Sequence, residues 1–291
     1  TPVLSSAASD VYKRQESLNQ WKGHEERVEE ILSPLKVEGY HAVLDTGEPP
    51  ANEGEPAPPG IHWMLARSNT PHSQLGHDGH GRRGGFIPPI NLPRRMWAGS
   101  DIEFIRPLVV GEKVVRRSNF DSAVHKQGRT GNLVFVKLRH EYSILEEICL
   151  CEIQTLVFRE SPNTDDPKPE LQPSPGEASW ERSLVPDPVL LFRYSALTFN
   201  GHRIHYDRSY CIEEEGYPGL LVHGPLQATL LLDLCRRNKQ GAPLKHFKFR
   251  AMSPVFDGEE IGICGIEDEG KDKLWIRGPA GEMAMSAEAS W

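Results

Sequence analysis

Histidine side chains are grouped in two short segments of the C-terminal half of this 291-residue chain. The first segment carries His202 and His205, and the second places His223 directly before Gly224. An imidazole, with an unperturbed pKa of about 6.5, can take or give a proton close to neutral pH. A lone histidine is more often structural than catalytic, but this grouping makes both segments candidates for acid–base chemistry.

A helix is predicted directly after the second segment. Four leucines recur at helical spacing within residues 225–236, and Pro225 fits the first turn of a helix. Gly224 then lies at the helix start, where a backbone N–H can stabilise a negatively charged oxygen. Losing one such donor typically costs about 3–4 kcal/mol, and a glycine lets the ligand oxygen approach closely.

The elements that position these residues fall on either side of a proline-rich stretch. Residues 1–15 have no clear pattern and lack an initiator Met, so we interpret them as a non-native or artefactual segment. We expect an N-terminal unit over residues 16–160, a linker over 161–179 and a C-terminal unit over 180–291. Periodicity predicts a helix over residues 25–35, strands over 101–108, 113–124, 133–144 and 149–158, and further strands over 246–251, 261–267, 274–278 and 282–290.

Both histidine segments resemble a known family. Residues 199–205 (FNGHRIH) resemble the motif Gly-Asp-x-Asn-Pro-(Ile/Leu)-His of the MaoC-like, R-specific enoyl-thioester hydratases, and His223-Gly224 matches their downstream His-Gly pair. In the N-terminal half, residues 81–112 and 129–143 are similar to the dehydratase domain of fatty-acid-synthase type. Mesaconyl-C4-CoA hydratases and mitochondrial 3-hydroxyacyl-thioester dehydratases combine these two domains. The resemblance covers about residues 20–291.

The resemblance implies an α+β double hot-dog, in which two antiparallel sheets each wrap a helix. It also implies a carbon–oxygen hydro-lyase acting on an acyl thioester of CoA or acyl carrier protein. Such an enzyme is either a 3-hydroxyacyl-thioester dehydratase or a mesaconyl-C4-CoA-type enoyl-CoA hydratase. The active site would lie in the C-terminal half, opposite a non-catalytic N-terminal wall. Two alternatives stay open: a hot-dog acyl-CoA thioesterase, and a catalytically lapsed protein that only binds acyl thioesters.

The motif assigns the catalytic candidates. His205 stands at the position of the family's histidine, whereas Asn200 stands where the family has Asp. Because an amide cannot act as a base, we expect Asn200 to orient water and His205 to serve as both base and acid. The backbone N–H of Gly224 is the candidate oxyanion donor. Asp207 has the pattern of an N-cap before a short helix and is a weaker candidate for a second carboxylate.

The substrate-binding candidates are chosen for position or charge. They are Tyr194, His202, Arg203, His223, Arg82, Arg83, Arg94 and Arg95. Arginine matches phosphates and carboxylates bidentately, so the arginines could hold CoA or a substrate carboxylate, although a solvated surface is an equal alternative. We expect His223 to support the loop, and Tyr194 either to line the acyl pocket or to belong to the core. No third ligand accompanies His202 and His205 at a familiar spacing, so no metal is expected, nor any other cofactor.

Composition excludes some classes of protein. A net charge of −8 disfavours a nucleic-acid binder, and no apolar run approaches the length of a membrane span. Exposed edge strands make a homodimer an attractive expectation. We expect a cytoplasmic protein, with the mitochondrial matrix as the alternative.

Overall fold

The computed structural model describes residues 15–65, 69–128, 131–161, 170–239, 241–268 and 270–291. Most of the segment interpreted as non-native, residues 1–14, therefore lies outside the described residues, as does the central part of the expected linker, residues 162–169. Gln15, the last residue of that segment, lies in a short helix, α1, whose described residues are 15–19. Its side chain donates to the carbonyl of Ala123 at 2.7 Å, so Gln15 is docked on the N-terminal half.

The N-terminal half contains five strands and one longer helix among its described residues. In chain order these are β1 (Glu25–Ile31), α2 (Pro34–Leu44), β2 (Arg94–Phe104), β3 (Lys113–Gly128), β4 (Gly131–Ile144) and β5 (Glu147–Arg159). The connection between α2 and β2 is long and includes two 3₁₀ turns, Ile61–Met64 and His72–Gln74. The four predicted strands are confirmed, although β2 begins at Arg94 rather than at residue 101.

The C-terminal half repeats a helix-then-strands order. Its elements are β6 (Trp180–Leu184), α3 (Pro188–Thr198), a 3₁₀ turn (Arg203–His205), α4 (Arg208–Glu213), α5 (Gly224–Asn238), β7 (His246–Ala251), β8 (Ile261–Ile266), β9 (Asp272–Arg277) and β10 (Met283–Ser290). The predicted helix and the four predicted strands are confirmed, whereas β6 was not predicted. The side chain of Asp207 accepts the N–H of Tyr210, which confirms the predicted N-cap of α4.

All ten strands form one antiparallel sheet in the order β1-β3-β4-β5-β2-β7-β10-β9-β8-β6. The pairing of β2 with β7 joins the two halves edge to edge. Ten consecutive residues of α5, Leu226 to Cys235, are buried, and the helix packs against β2, β6, β8, β9 and β10. This is the expected double hot-dog, with two differences: the two sheets are continuous, and α2 packs partly on α3 instead of being fully wrapped.

The predicted helix over residues 25–35 was wrong. Residues 25–31 form the edge strand β1, paired with β3, and Pro34 begins a helix rather than ending one. A helix would have placed Glu25 and Glu26 four residues from Glu29 and Glu30, which is a repulsive spacing. In the strand, Glu26 instead pairs with Arg116 at 3.0 Å across the sheet. Among the described residues, no helix is long and apolar enough to cross a membrane.

Candidate active site

His205 is held by one ring nitrogen, and its other ring nitrogen has no hydrogen-bond partner among the described residues. It ends the 3₁₀ turn Arg203–His205 and is 7% exposed. Its Nδ1 lies 2.7 Å from the carbonyl oxygen of Leu221, which can only accept, so Nδ1 carries the proton and Nε2 keeps its lone pair. Leu221 is fixed in turn, because its own N–H donates to the carbonyl of Ile204 at 2.9 Å. Burial lowers the pKa of His205 to about 4, so its imidazole is neutral at neutral pH.

His223 stacks on His205 from the side of α5. Their ring centroids are 3.6 Å apart and their planes differ by 18°. His223 is completely buried, and its Nε2 is hydrogen-bonded to the hydroxyl of Ser195 at 2.8 Å. Burial, and then the nearby imidazoles, lower the pKa of His223 well below its usual value. This geometry agrees with the expected role of His223, which is to hold the loop in place. Its partner Ser195 had not been singled out from the sequence.

Gly224 is the first residue of α5. The first N–H groups of a helix have no acceptor within the helix, and the structure shows none for Gly224 among the residues it describes. A Cβ built at this position would meet only the carbonyl oxygen of Trp97, at an ordinary 3.7 Å. The protein itself therefore leaves room beside this N–H, as the expected role of oxyanion donor requires.

A loop of the N-terminal half reaches the histidine segment. The N–H of Arg203 donates to the carbonyl of Asp78 at 3.0 Å. The rings of His80 and His202 are 4.2 Å apart between centroids, and those of His202 and His205 are 5.5 Å apart. Sequence reasoning missed Asp78 and His80, and the only signal was the polar, glycine-rich character of the long connection before β2. Four imidazoles thus follow one another from this loop to the start of α5.

Asp78 and His80 form a carboxylate–imidazole pair. One carboxylate oxygen of Asp78 lies 3.1 Å from Nδ1 of His80, and the other accepts the backbone N–H of His80 at 3.1 Å. Burial raises the pKa of Asp78, but the interactions with His80 and His202 outweigh it, and the net shift is downward. Burial also lowers the pKa of His80 and of His202. The pair therefore consists of an ionised carboxylate and a mainly neutral imidazole.

Asp78, His80 and His202 could also hold a metal ion. Each offers one ligand atom, and these atoms lie within 4.8 Å of one another. The sequence showed no third ligand beside His202 and His205, because Asp78 and His80 lie more than a hundred residues earlier in the chain. The hydrogen bond between Asp78 and His80 accounts for their proximity without an ion.

Asn200 and Tyr194 are both engaged with the protein. The side-chain oxygen of Asn200 accepts the backbone N–H of His202 at 3.0 Å, which leaves one lone pair of this oxygen and the NH₂ group for water or substrate. Tyr194 is 1% exposed, and its hydroxyl lies 3.2 Å from that of Thr229. Its ring packs edge-on against His223 at 5.0 Å. Tyr194 therefore belongs to the core that supports the histidines.

The arginine candidates differ in what their guanidinium groups contact. Arg82 and Arg83 donate to backbone carbonyls, namely those of Leu75 for Arg82 and of Ile90, Leu92 and Pro93 for Arg83. Two others form ion pairs: Arg94 with Glu215, and Arg203 with Asp207 at 2.8 Å. Arg95 is half-buried and makes no hydrogen bond or ion pair within the described part of the chain. Its charge is close enough to lower the pKa of His80 and of His202. Of the five arginine candidates, Arg95 alone has no hydrogen bond or ion pair within the described residues.

Comparisons with known proteins agree with this architecture. Residues 60–257 match the family model described as hydroxyacyl-thioester dehydratase type 2. The chain is 42% identical over 270 residues to a mesaconyl-C(4)-CoA hydratase of Chloroflexus aurantiacus, covering 92% of this chain and 95% of that one. It is 29% identical over 245 residues to a mitochondrial hydroxyacyl-thioester dehydratase type 2 of Schizosaccharomyces pombe, covering 75% and 79%.

A solved structure supports the fold. A Mycobacterium tuberculosis protein described as having a double hot-dog fold superposes with a TM-score of 0.58 at 14% identity, covering 92% of this chain and 95% of that one. The double hot-dog expectation is thereby confirmed. From the matched model and the extended identity, the chain belongs to the hydroxyacyl-thioester dehydratase type 2 family.

Proposed function

We infer that this protein is a carbon–oxygen hydro-lyase that hydrates or dehydrates an acyl thioester, and we propose His205 as its principal acid–base residue. The family and the relatives just described are named for these two directions of one reaction. The observation that carries the assignment of His205 is its hydrogen bond to Leu221, which leaves Nε2 as a free acceptor beside the start of α5. No cofactor enters this proposal.

Each atom of the reaction can be followed through the site. In hydration, water gives a proton to Nε2 of His205 while its oxygen bonds to Cβ of the unsaturated acyl group. The π-electron pair moves toward Cα and the thioester oxygen, where the N–H of Gly224 stabilises the developing negative charge. The His205 imidazolium then returns the proton to Cα. Dehydration follows the same steps in reverse.

We propose that the acyl group carries a free carboxylate. Arg95 supports this choice, because burial lowers its pKa only to about 10, against the opposing effect of the nearby charge of Asp78, so its guanidinium stays charged. A half-buried cation that makes no hydrogen bond or ion pair among the described residues favours an anionic ligand. The Chloroflexus relative is named for a C4 thioester of mesaconate, which has such a carboxylate. A fatty-acyl substrate would leave Arg95 without this contact.

The first experiment follows the loss of enoyl-thioester absorbance with mesaconyl-C4-CoA and with crotonyl-CoA. We expect wild-type protein to hydrate the dicarboxylic substrate faster, and His205→Ala to lose roughly 10²–10⁴-fold in kcat. A folded His205→Ala variant with most of its turnover would contradict the assignment. Release of free CoA without hydration would instead indicate a thioesterase, and binding without turnover a lapsed site.

Arg95→Gln tests the substrate class. We expect KM for mesaconyl-C4-CoA to rise roughly 10- to 100-fold, as for the loss of a charge-assisted hydrogen bond, while KM for crotonyl-CoA changes little. Arg27→Gln, on the edge strand β1, serves as the matched control. An equal rise for both substrates would assign Arg95 to the CoA moiety or to the scaffold.

Location and assembly stay predictions. We propose a cytoplasmic protein, with the mitochondrial matrix as the alternative, and the S. pombe relative is named as mitochondrial. The homodimer is tested by light scattering after size-exclusion chromatography, where a mass close to that of one chain would rule it out.

A further inference from the structure

The proposed reaction leaves one position of the site unfilled. A reacting water has two protons to donate, and His205 offers an acceptor for only one of them. In the family motif an Asp occupies the position of Asn200 and would supply a second acceptor. Here Asn200 is an amide, which cannot act as a base, and one lone pair of its oxygen already accepts the N–H of His202. A second basic acceptor, equivalent to the carboxylate of the family motif, can therefore come only from another part of the chain.

His80 has the required chemistry. Its Nδ1 faces the carboxylate of Asp78, an acceptor, so Nδ1 carries the proton and Nε2 is a lone-pair acceptor. Within the described part of the chain, Nε2 of His80 has no hydrogen-bond partner. The side chain retains 24% exposure, so water can reach it. The other charged or titratable groups that lie close enough to influence it are His202, His205, Arg83 and Arg95.

The backbone fixes the position of His80. The carbonyl of His80 accepts the N–H of Gly76 at 2.6 Å, and both oxygens of Asp78 are bonded to His80 itself. Asp78 is anchored to the C-terminal half by the N–H of Arg203. His80 is thus held at the histidine segment by the same contact that joins the loop to that segment.

We propose that the Asp78–His80 pair is the second water-binding group of the active site and supplies the basic acceptor that the family motif provides as a carboxylate. This inference rests on the proposed hydro-lyase function. Nε2 of His80 accepts one O–H of the reacting water while Nε2 of His205 accepts the other and takes that proton. The water oxygen bonds to Cβ, and the proton on His205 passes to Cα. After the addition, the remaining hydrogen stays on the new hydroxyl group, still facing His80, so protons and charge balance.

Two variants of His80 test whether its Nε2 accepts a hydrogen bond from the reacting water or whether the side chain only supports the loop. His80→Asn retains a group that can bond Asp78 but has nothing at the position of Nε2, whereas His80→Gln can place an amide oxygen there. We expect His80→Asn to lower kcat roughly 10²-fold with little change in the KM of the thioester, and His80→Gln to lower it less. His72→Asn, on the exposed 3₁₀ turn of the same connection, should match wild type. Wild-type kcat in His80→Asn would overturn the proposal.

The kcat–pH profile of Asp78→Asn provides a further test, because a purely structural role of Asp78 would not shift its acid limb. The carboxylate favours the protonated form of His80 and so raises the pKa of that imidazole. Removing its charge should shift the acid limb of the kcat–pH profile to lower pH, because neutral His80 then persists further into the acid range. Lower kcat at every pH with an unmoved acid limb would assign Asp78 to the scaffold and overturn the proposal.

Two controls distinguish the possible failures. If wild type hydrates no thioester, the proposed function fails; if His205→Ala is inactive while His80→Asn is fully active, only the present inference fails. Dialysis of wild type against a chelator should leave kcat unchanged. Loss of turnover that Zn²⁺ restores would instead assign Asp78, His80 and His202 as metal ligands and overturn the proposal.

Discussion

At the residue scale, the site is defined by which imidazole nitrogen is left free. Nδ1–H of His205 donates a hydrogen bond to the backbone carbonyl of Leu221, whereas Nε2 of His223 is hydrogen-bonded to the hydroxyl of Ser195. Because the two rings are stacked at 3.6 Å, they cannot both be charged without strong repulsion. Neutral His205 can therefore act as a base, and His223 is better suited to hold it in place.

Gly224→Ala tests the oxyanion position. The backbone of Gly224 is not left-handed, and an added methyl group would meet only the carbonyl of Trp97 at 3.7 Å. We expect the free energy of unfolding to change by less than about 1 kcal/mol, since Ala is tolerated in helices. Turnover should fall about 10-fold or more, because the methyl group crowds the thioester oxygen. Thermal unfolding and hydration kinetics measure both quantities, and unchanged kinetics would exclude Gly224 as the donor.

At the element scale, two connections rather than two regular elements build the site. α3 ends at Thr198, and its C-cap Phe199 adopts a left-handed conformation (φ 52°) that turns the chain into the histidine segment. The long connection before β2 meets that segment at Gly79, which is also left-handed (φ 88°). A Cβ at Gly79 would lie 1.9 Å from the carbonyl oxygen of Gly201, so only glycine permits this approach.

Gly79→Ala should separate the two connections. The left-handed backbone alone costs a non-glycine residue roughly 1–2 kcal/mol, and the clash with Gly201 adds to it. We expect a lower unfolding free energy in urea and a loss of turnover, since Asp78 and His80 move away from His202. Gly85→Ala, where a Cβ meets nothing within 4 Å, is the control. Equal behaviour of the two variants would show that the contact does not position the site.

At the scale of the whole molecule, the halves share both a sheet and a site. β2 and β7 pair through five consecutive residue pairs, beginning with Gly99 and Arg250. α5 packs against β2 as well as against strands of its own half. The N-terminal half also contributes Asp78, His80 and Arg95 to the surroundings of His202 and His205. The expectation of a passive N-terminal wall therefore needs revision if the proposed role of His80 holds.

The buried imidazoles predict how stability depends on pH. In the folded protein the pKa values of His80, His202, His205 and His223 lie below the unfolded value of about 6.5. The unfolded chain therefore binds more protons below pH 6.5, and the free energy of unfolding falls as pH falls from about 6.5 toward 4. Each histidine that stays neutral in the folded protein but is protonated in the unfolded chain lowers the free energy of unfolding by up to about 1.4 kcal/mol per pH unit.

Urea unfolding at pH 7.5 and at pH 5 measures this loss. His205→Gln removes one of the imidazoles whose pKa is lowered in the folded protein. The free energy of unfolding of this variant should therefore depend less steeply on pH than that of wild type. His72→Gln, which changes an exposed histidine, should leave the slope as it is. A wild-type stability that does not change between these two pH values would contradict the burial of neutral imidazoles.

The sequence by itself determined the features that depend on neighbours along the chain. The 3.6-residue spacing of the leucines predicts α5, and alternation predicts the longer strands, because both patterns follow from local backbone geometry. His205 and His223-Gly224 were recognisable from their motif, and Asp207 from its position before α4. The double hot-dog class followed from the same motifs.

Only the tertiary structure decided which distant residues meet. Asp78 and His80 reach His202 across more than a hundred residues, and local periodicity contains no information on such a contact. Arg95 differs from Arg83 and Arg94 only in its surroundings, since all three are arginines of one polar stretch. The strand β1 also depends on its partner β3, whose backbone groups and basic side chains outweigh a helical pattern in residues 25–35. Side-chain type and local spacing limit what a residue can do, but packing decides which partner it finds.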